Sequence, residues 1–204
     1  MTATPSAPAV TTRAGARPVA ARPPLRHRLT VPAGNLLQTG GMLTGSALIA
    51  AAGMTAVPAA ARLALTLTGW LLVYLCSHAI GHYLAGRAVG IRFRGYGIRG
   101  TDHPEHYPPL LRQLMSAAPF FTALTDRPSL VAAAPWRKAV MFATGETATA
   151  VCSIAAAAAA TALDVPGSGA LLTFSIVWNV ASTIATAVTS KGDYAKAIHA
   201  LRSR

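Results

Sequence analysis

The feature that most constrains this chain is where its charges are missing. No formal charge lies between Arg28 and Arg62 or between Arg62 and Arg87. Glu146 is the single charge between Lys138 and Asp164, and none follows until Lys191. A helix needs about 20 apolar residues to cross a bilayer. The uncharged intervals therefore predict four spans, near residues 40–60, 63–86, 139–163 and 168–190. Pro58 and Arg62 mark the first connection, and "LDVPGSG" at 163–169 is a turn signal for the third. The expected fold class is all-α, a polytopic membrane helical bundle of about four transmembrane helices with a short cytoplasmic β-hairpin.

Orientation follows from the basic residues. Five lie before residue 29, eight between Arg87 and Lys138, four after residue 190, and Arg62 is alone between spans. Cytoplasmic flanks carry the Lys and Arg excess. Four spans with both termini in the cytoplasm put all three basic regions on one side. Span count and charge bias thus reach the same topology independently. The expected partner is the lipid bilayer, together with transmembrane helices of other proteins. The net charge of +12 is not interleaved with aromatic residues, so nucleic-acid binding is not expected.

Residues 1–34, rich in Ala, Pro, Thr and Arg without apolar periodicity, are read as a disordered basic arm, and residues 35–204 as the membrane domain. Cys76 and Cys152 fall in apolar segments and are read as packing residues. Gly41 and Gly45 in "GMLTG" form a small-xxx-small pair suited to a helix contact. Within the cytoplasmic region 87–138, "IRFRGYGIRG" (91–100) reads as a hairpin, and "QLMSAAPFFTALT" (113–125) as an interfacial or re-entrant segment. "TDHPEHYPP" (101–109) reads as a solvated turn, although His103, Glu105 and His106 are metal-ligand types. His27 and His199 have no companion that suggests chemistry.

Chemistry concentrates in "SHAIGHYLAGRAVG" (77–90). Residues four apart share a helix face, so His78 and His82 can point at one metal ion. At about 1.5 Å per residue, His82 lies about 7 Å and His78 about 13 Å inside the cytoplasmic boundary, with Glu146 at about 12 Å. Asp193 is expected near the boundary itself. Glu146 is the one carboxylate within an expected span, and an ionisable residue there is a functional candidate.

"HAIGHYLAGRAVGIRF" (78–93) resembles the zinc-binding helix of the site-2 protease family of intramembrane zinc metalloproteases. "FATGETATAV" (142–151) is similar to that family's next membrane segment, with Glu146 where Pro is usual. "SKGDYAKAI" (190–198) is similar to its Asp-Gly motif. The resemblance covers roughly residues 63–198 and implies zinc on His78 and His82, with Asp193 as third ligand. The family's general-base Glu is replaced by Ala79, and its Asn-x-x-Pro element is absent, Asn179 lying far upstream of Asp193. A positioned base contributes about 10² to 10⁴ in rate. The expected function is therefore a catalytically degenerate relative, a pseudoprotease, with a zinc site in the cytoplasmic leaflet. The alternatives are an active protease in which Glu146 is a relocated catalytic base or a metal ligand, a tetrapyrrole-binding protein with His78 or His82 as axial ligand, and a structural membrane subunit.

Overall fold

The computed structural model describes residues 24–54, 56–100, 109–188 and 192–203. Most of the expected basic arm and nearly all of the "TDHPEHYPP" segment lie outside the described residues. The chain is mostly helical. Helix α1 (Val31–Ala52) starts with the Thr30 side chain accepting from the Ala33 N–H, and Pro32 sits in its first turn, where a missing N–H costs nothing. Pro58 precedes α2 (Ala59–Ala88), and Pro135 opens α5 (Pro135–Ala162). Between these two helices lie α3 (Pro109–Ala117) and α4 (Arg127–Ala132). The chain closes with α6 (Ser168–Val188) and α7 (Asp193–Arg202).

Helix α2 is the centre of the bundle, packed on α1 along one side and α5 along the other, while α6 and α7 both lie on α5. The α1–α2 contact is close because it is built from small residues. A Cβ on Gly45 would press on the backbone of Gly69, and one on Gly41 would press on Cys76. The "GMLTG" pair thus does make a helix contact, within the chain itself. At one end of the bundle Arg62 caps two helices at once. Its Nε donates to Ala52 O at 2.6 Å and its Nη2 to Asp164 O at 3.0 Å, at the C-terminal ends of α1 and α5. Midway along, Trp70 Nε1 donates to Ser153 O at 3.1 Å, and Asn179 Nδ2 to Ser153 Oγ at 3.0 Å. These bonds tie α2, α5 and α6 by interior polar groups, a favoured way to join helices where burial of apolar surface gives no drive.

Among the described residues, three helices are long and apolar enough to cross a membrane: α2, α5 and the stretch beginning with α6 at Ser168. Helix α1, where the first span was expected, has the length but not the apolarity, since it carries Asn35, Gln38 and a run of Gly and Thr.

Three expectations are corrected. Residues 27–34, assigned to the arm, belong to the fold: β1 (His27–Leu29) pairs with the sheet and α1 begins at Val31. The expected hairpin at 91–100 is a single strand, β2 (Phe93–Arg99), in the middle of an antiparallel sheet of order β1-β2-β3. Gly95, at φ +146, accommodates a register shift between Phe93 and Gly95 rather than a reversal of the chain. The expected interfacial segment at 113–125 divides at Pro119 into the end of α3 and the strand β3 (Phe120–Thr125). A residue before Pro is pushed from the helical region, and the Phe and Thr that follow favour a strand.

Candidate metal centre

His78 and His82 face α5 from α2, and Asp193, the first residue of α7, reaches both. Their ligand atoms all lie within 4.8 Å of one another, a group able to hold a metal ion. The three distances are 3.3 Å between the two Nε2 atoms, 3.0 Å from His82 Nε2 to Asp193 Oδ2, and 3.3 Å from His78 Nε2 to the same oxygen. The rings stand nearly perpendicular, at 88°.

Hydrogen-bond directions fix what those atoms are. His82 Nδ1 lies 2.7 Å from Met141 O, and a carbonyl only accepts, so Nδ1 carries a proton. Thr149 Oγ1 donates to Gly145 O at 3.1 Å, which leaves the hydroxyl to accept from His78 Nδ1 at 3.2 Å. In their neutral forms both imidazoles therefore aim an Nε2 lone pair at a carboxylate oxygen and at each other. Three acceptors this close repel unless a cation, a proton or a metal ion, sits among them. Outer hydrogen bonds from Nδ1 that set the tautomer are also the usual second shell of metal-binding histidines.

The size fits a small ion. Ligands about 2.0–2.1 Å from a tetrahedral centre stand about 3.3 Å apart, close to the three distances above. Lys196, one turn along α7, holds the other carboxylate oxygen, with Nζ to Oδ1 at 2.7 Å. Asp193 thus offers one oxygen rather than two. Access is one-sided: the His78 side chain is 32% exposed, against 12% for His82 and 13% for Asp193. Room for the His82 ring depends on Gly145, because a Cβ there would run into the imidazole.

Of the expected site residues, His78, His82 and Asp193 come together and Glu146 stands outside their triangle. It is half-buried beside Gly145 on α5, within electrostatic reach of His78, Asp193, His82 and Lys196. Asp193 meets the histidines because α7 packs along α5, with Ala197 and Ala200 on Ala139. Ala79 is fully buried. Asn179 takes no part in the site, being committed to Ser153 and Ser175 on the far side of Thr149. Sequence reasoning did not find Lys196, Thr149 or the Met141 carbonyl. The first had a signal, the Asp-x-x-Lys spacing that brings i and i+3 together on a helix.

No protein-family model, curated protein or solved structure matches this chain.

Proposed function

We propose that the chain is a site-2-protease-like integral membrane protein that holds zinc on His78, His82 and Asp193 and does not hydrolyse peptide bonds. The observation that carries this reading is the convergence of two Nε2 lone pairs and one carboxylate oxygen within 3.3 Å, each held by an outer partner. Zinc with three protein ligands leaves a fourth position open, which is the catalytic rather than the structural arrangement, and supplies Lewis acidity there. His78 is the exposed edge of the site and would border that position. Where that family carries its general base, Ala79 offers no acid or base.

In this reading α1 completes four spans with both termini in the cytoplasm, following the distribution of Lys and Arg. Reporters fused after Val57 and Pro166 should read outside, and those after Arg127 and at the C-terminus inside.

A second reading has one observation in its favour. Glu146 lies near enough to interact with all three ligand side chains, and a carboxylate there could serve as a relocated base. Purified protein should contain one zinc per chain and leave membrane-helix substrates intact. Zinc-dependent cleavage by the unmodified chain, lost in Glu146→Gln, would establish the second reading in place of the first. A chain without bound zinc under metal-replete conditions would remove both.

A further inference from the structure

At the basic end of the bundle, the end of α2 and the start of α5 form a shallow, open pocket of about 240 Å³ lined by Ala88, Val89, Gly90, Trp136 and Arg137. We propose that this pocket binds the headgroup of an anionic phospholipid, with the phosphate on Arg137 and one acyl chain running down past Leu84 and Val140.

The first support is charge. Arg137 is exposed, and among the described residues its guanidinium meets only the face of the Trp136 ring, 5.4 Å from the centroid. Arg87 lies in the last turn of α2 and Lys138 in the first turn of α5, with Arg92 four residues beyond the end of α2. Among the described carboxylates, Asp126 pairs with Arg94 and also acts on Arg92, Asp193 belongs to the candidate metal centre with Glu146 near it, and Asp164 is at the opposite end of α5, so none of them pairs with Arg137. Among the described residues, this end of two membrane-long helices carries a surplus of cations, which suits an anionic ligand. Basic residues at this position draw anionic lipid at roughly 1 kcal/mol each.

The second support distinguishes a lipid from a free anion. Ala88 and Trp136 each have an exposed apolar residue one turn deeper on the same face, Leu84 on α2 and Val140 on α5. Both helices are long and apolar enough to span. The pocket is thus polar at its mouth and continues as an apolar track into the hydrocarbon. Trp136, 53% exposed beside Arg137, has the position of an interfacial aromatic anchor. A guanidinium fork suits a phosphate, and its stacking on an indole fixes its plane.

The test is native mass spectrometry of the full chain in neutral detergent, titrated with dioleoyl phosphatidylglycerol or with phosphatidylcholine of the same acyl chains. One phosphatidylglycerol should bind in preference to phosphatidylcholine. Arg137→Gln should weaken it about fivefold, the loss equivalent to roughly 1 kcal/mol. Arg127→Gln, an exposed basic residue outside the pocket, should not weaken it. Leu84→Gln should weaken phosphatidylglycerol binding through the acyl track with all charges kept. Helicity by circular dichroism identifies any variant that has not folded, and Arg137→Lys, gentler on the fold, should still weaken binding by losing the fork. Equal binding of the two lipids would overturn the proposal. So would equal losses in Arg137→Gln and Arg127→Gln, which would mean diffuse attraction without a site. Displacement of the lipid by millimolar inorganic phosphate would assign the pocket to a free anion instead.

Discussion

Replacing Gly145 by Ala separates metal binding from folding, because its two consequences differ in size. The added Cβ would occupy the space of the His82 ring, so the imidazole must withdraw and give up its 2.7 Å bond to Met141 O. Overpacking of this kind costs about 1–3 kcal/mol. The lost hydrogen bond adds about 0.5–1.5 kcal/mol. Against this, Ala in place of a helical Gly returns about 1 kcal/mol. The net loss of stability is therefore on the order of 1–3 kcal/mol, and the bundle stays folded. Metal binding suffers more, since loss of an outer hydrogen bond alone typically costs 10–100-fold in affinity and here the ligand atom itself is displaced. In the wild type, zinc at 100 times its dissociation constant should add about 2.7 kcal/mol, a rise of about 5–10 °C in Tm for a chain this long. The assay is thermal unfolding in detergent with zinc or with EDTA, beside metal content by mass spectrometry. Gly145→Ala should unfold at one temperature in both. A variant that keeps stoichiometric zinc and the full zinc-dependent rise in Tm would refute the geometry of the site.

Lys196→Met should lower zinc affinity at least tenfold and let Asp193 turn towards two-oxygen coordination, visible in the X-ray absorption of the zinc form. Arg62→Ala leaves carbonyls at the ends of two helices without their donor and should cost about 2 kcal/mol, read as a lower Tm that zinc does not restore. The Arg94 hydrogen bond, helped by the Ser129 N–H, holds the Asp126 carboxyl below its ordinary value. That contribution is present above the unfolded pKa and is lost as pH falls through the lower folded one; Asp126→Asn should therefore remove acid dependence from the sheet's hydrogen exchange below about pH 4. Ala79→Glu, which recreates the H-E-x-x-H spacing, should destabilise by about 1–3 kcal/mol and stay inactive, because residue 79 has no exposed surface. Cleavage by that variant would show the rest of the machinery to be intact.

The helices were legible because the signal for them is long. Thirty residues of α2 and 28 of α5 carry few charges, and the Pro and Gly punctuation falls at their ends. The sheet was not, because β2 pairs with strands 64 residues before and 27 residues after its own start (93 − 29 and 120 − 93), and nothing local in "IRFRGYGIRG" names those partners. Its two Arg-flanked apolar stretches looked like a hairpin to a reading limited to neighbours. The His pair was legible from spacing alone. The choice between Glu146 and Asp193 was not, because depth counted along the chain treats residues after α6 as leaving the membrane. Helix α7 instead packs along α5, and small residues at 197 and 200 allow the close packing that carries Asp193 to the histidines.

That choice of carboxylate bears on what the site can do. Were Glu146 the third ligand, the site would be built from two packed helices alone, α2 and α5. With Asp193 as ligand, and its charge already shared with Lys196, Glu146 is left as a second carboxylate near the ligands but not among them. A base must reach the reacting proton within about 2.6–3.2 Å or through one water. Residue 79 would have approached along α2, directly after a ligand. Glu146 approaches from α5, where the Gly145 gap is already filled by the His82 ring. In the proposed function, metal binding and proton transfer are separable. The ligand set can persist with its outer hydrogen bonds intact while hydrolysis is absent, and Glu146→Gln should leave zinc affinity within about a factor of three of the wild type, since it removes neither a ligand nor an outer-shell bond.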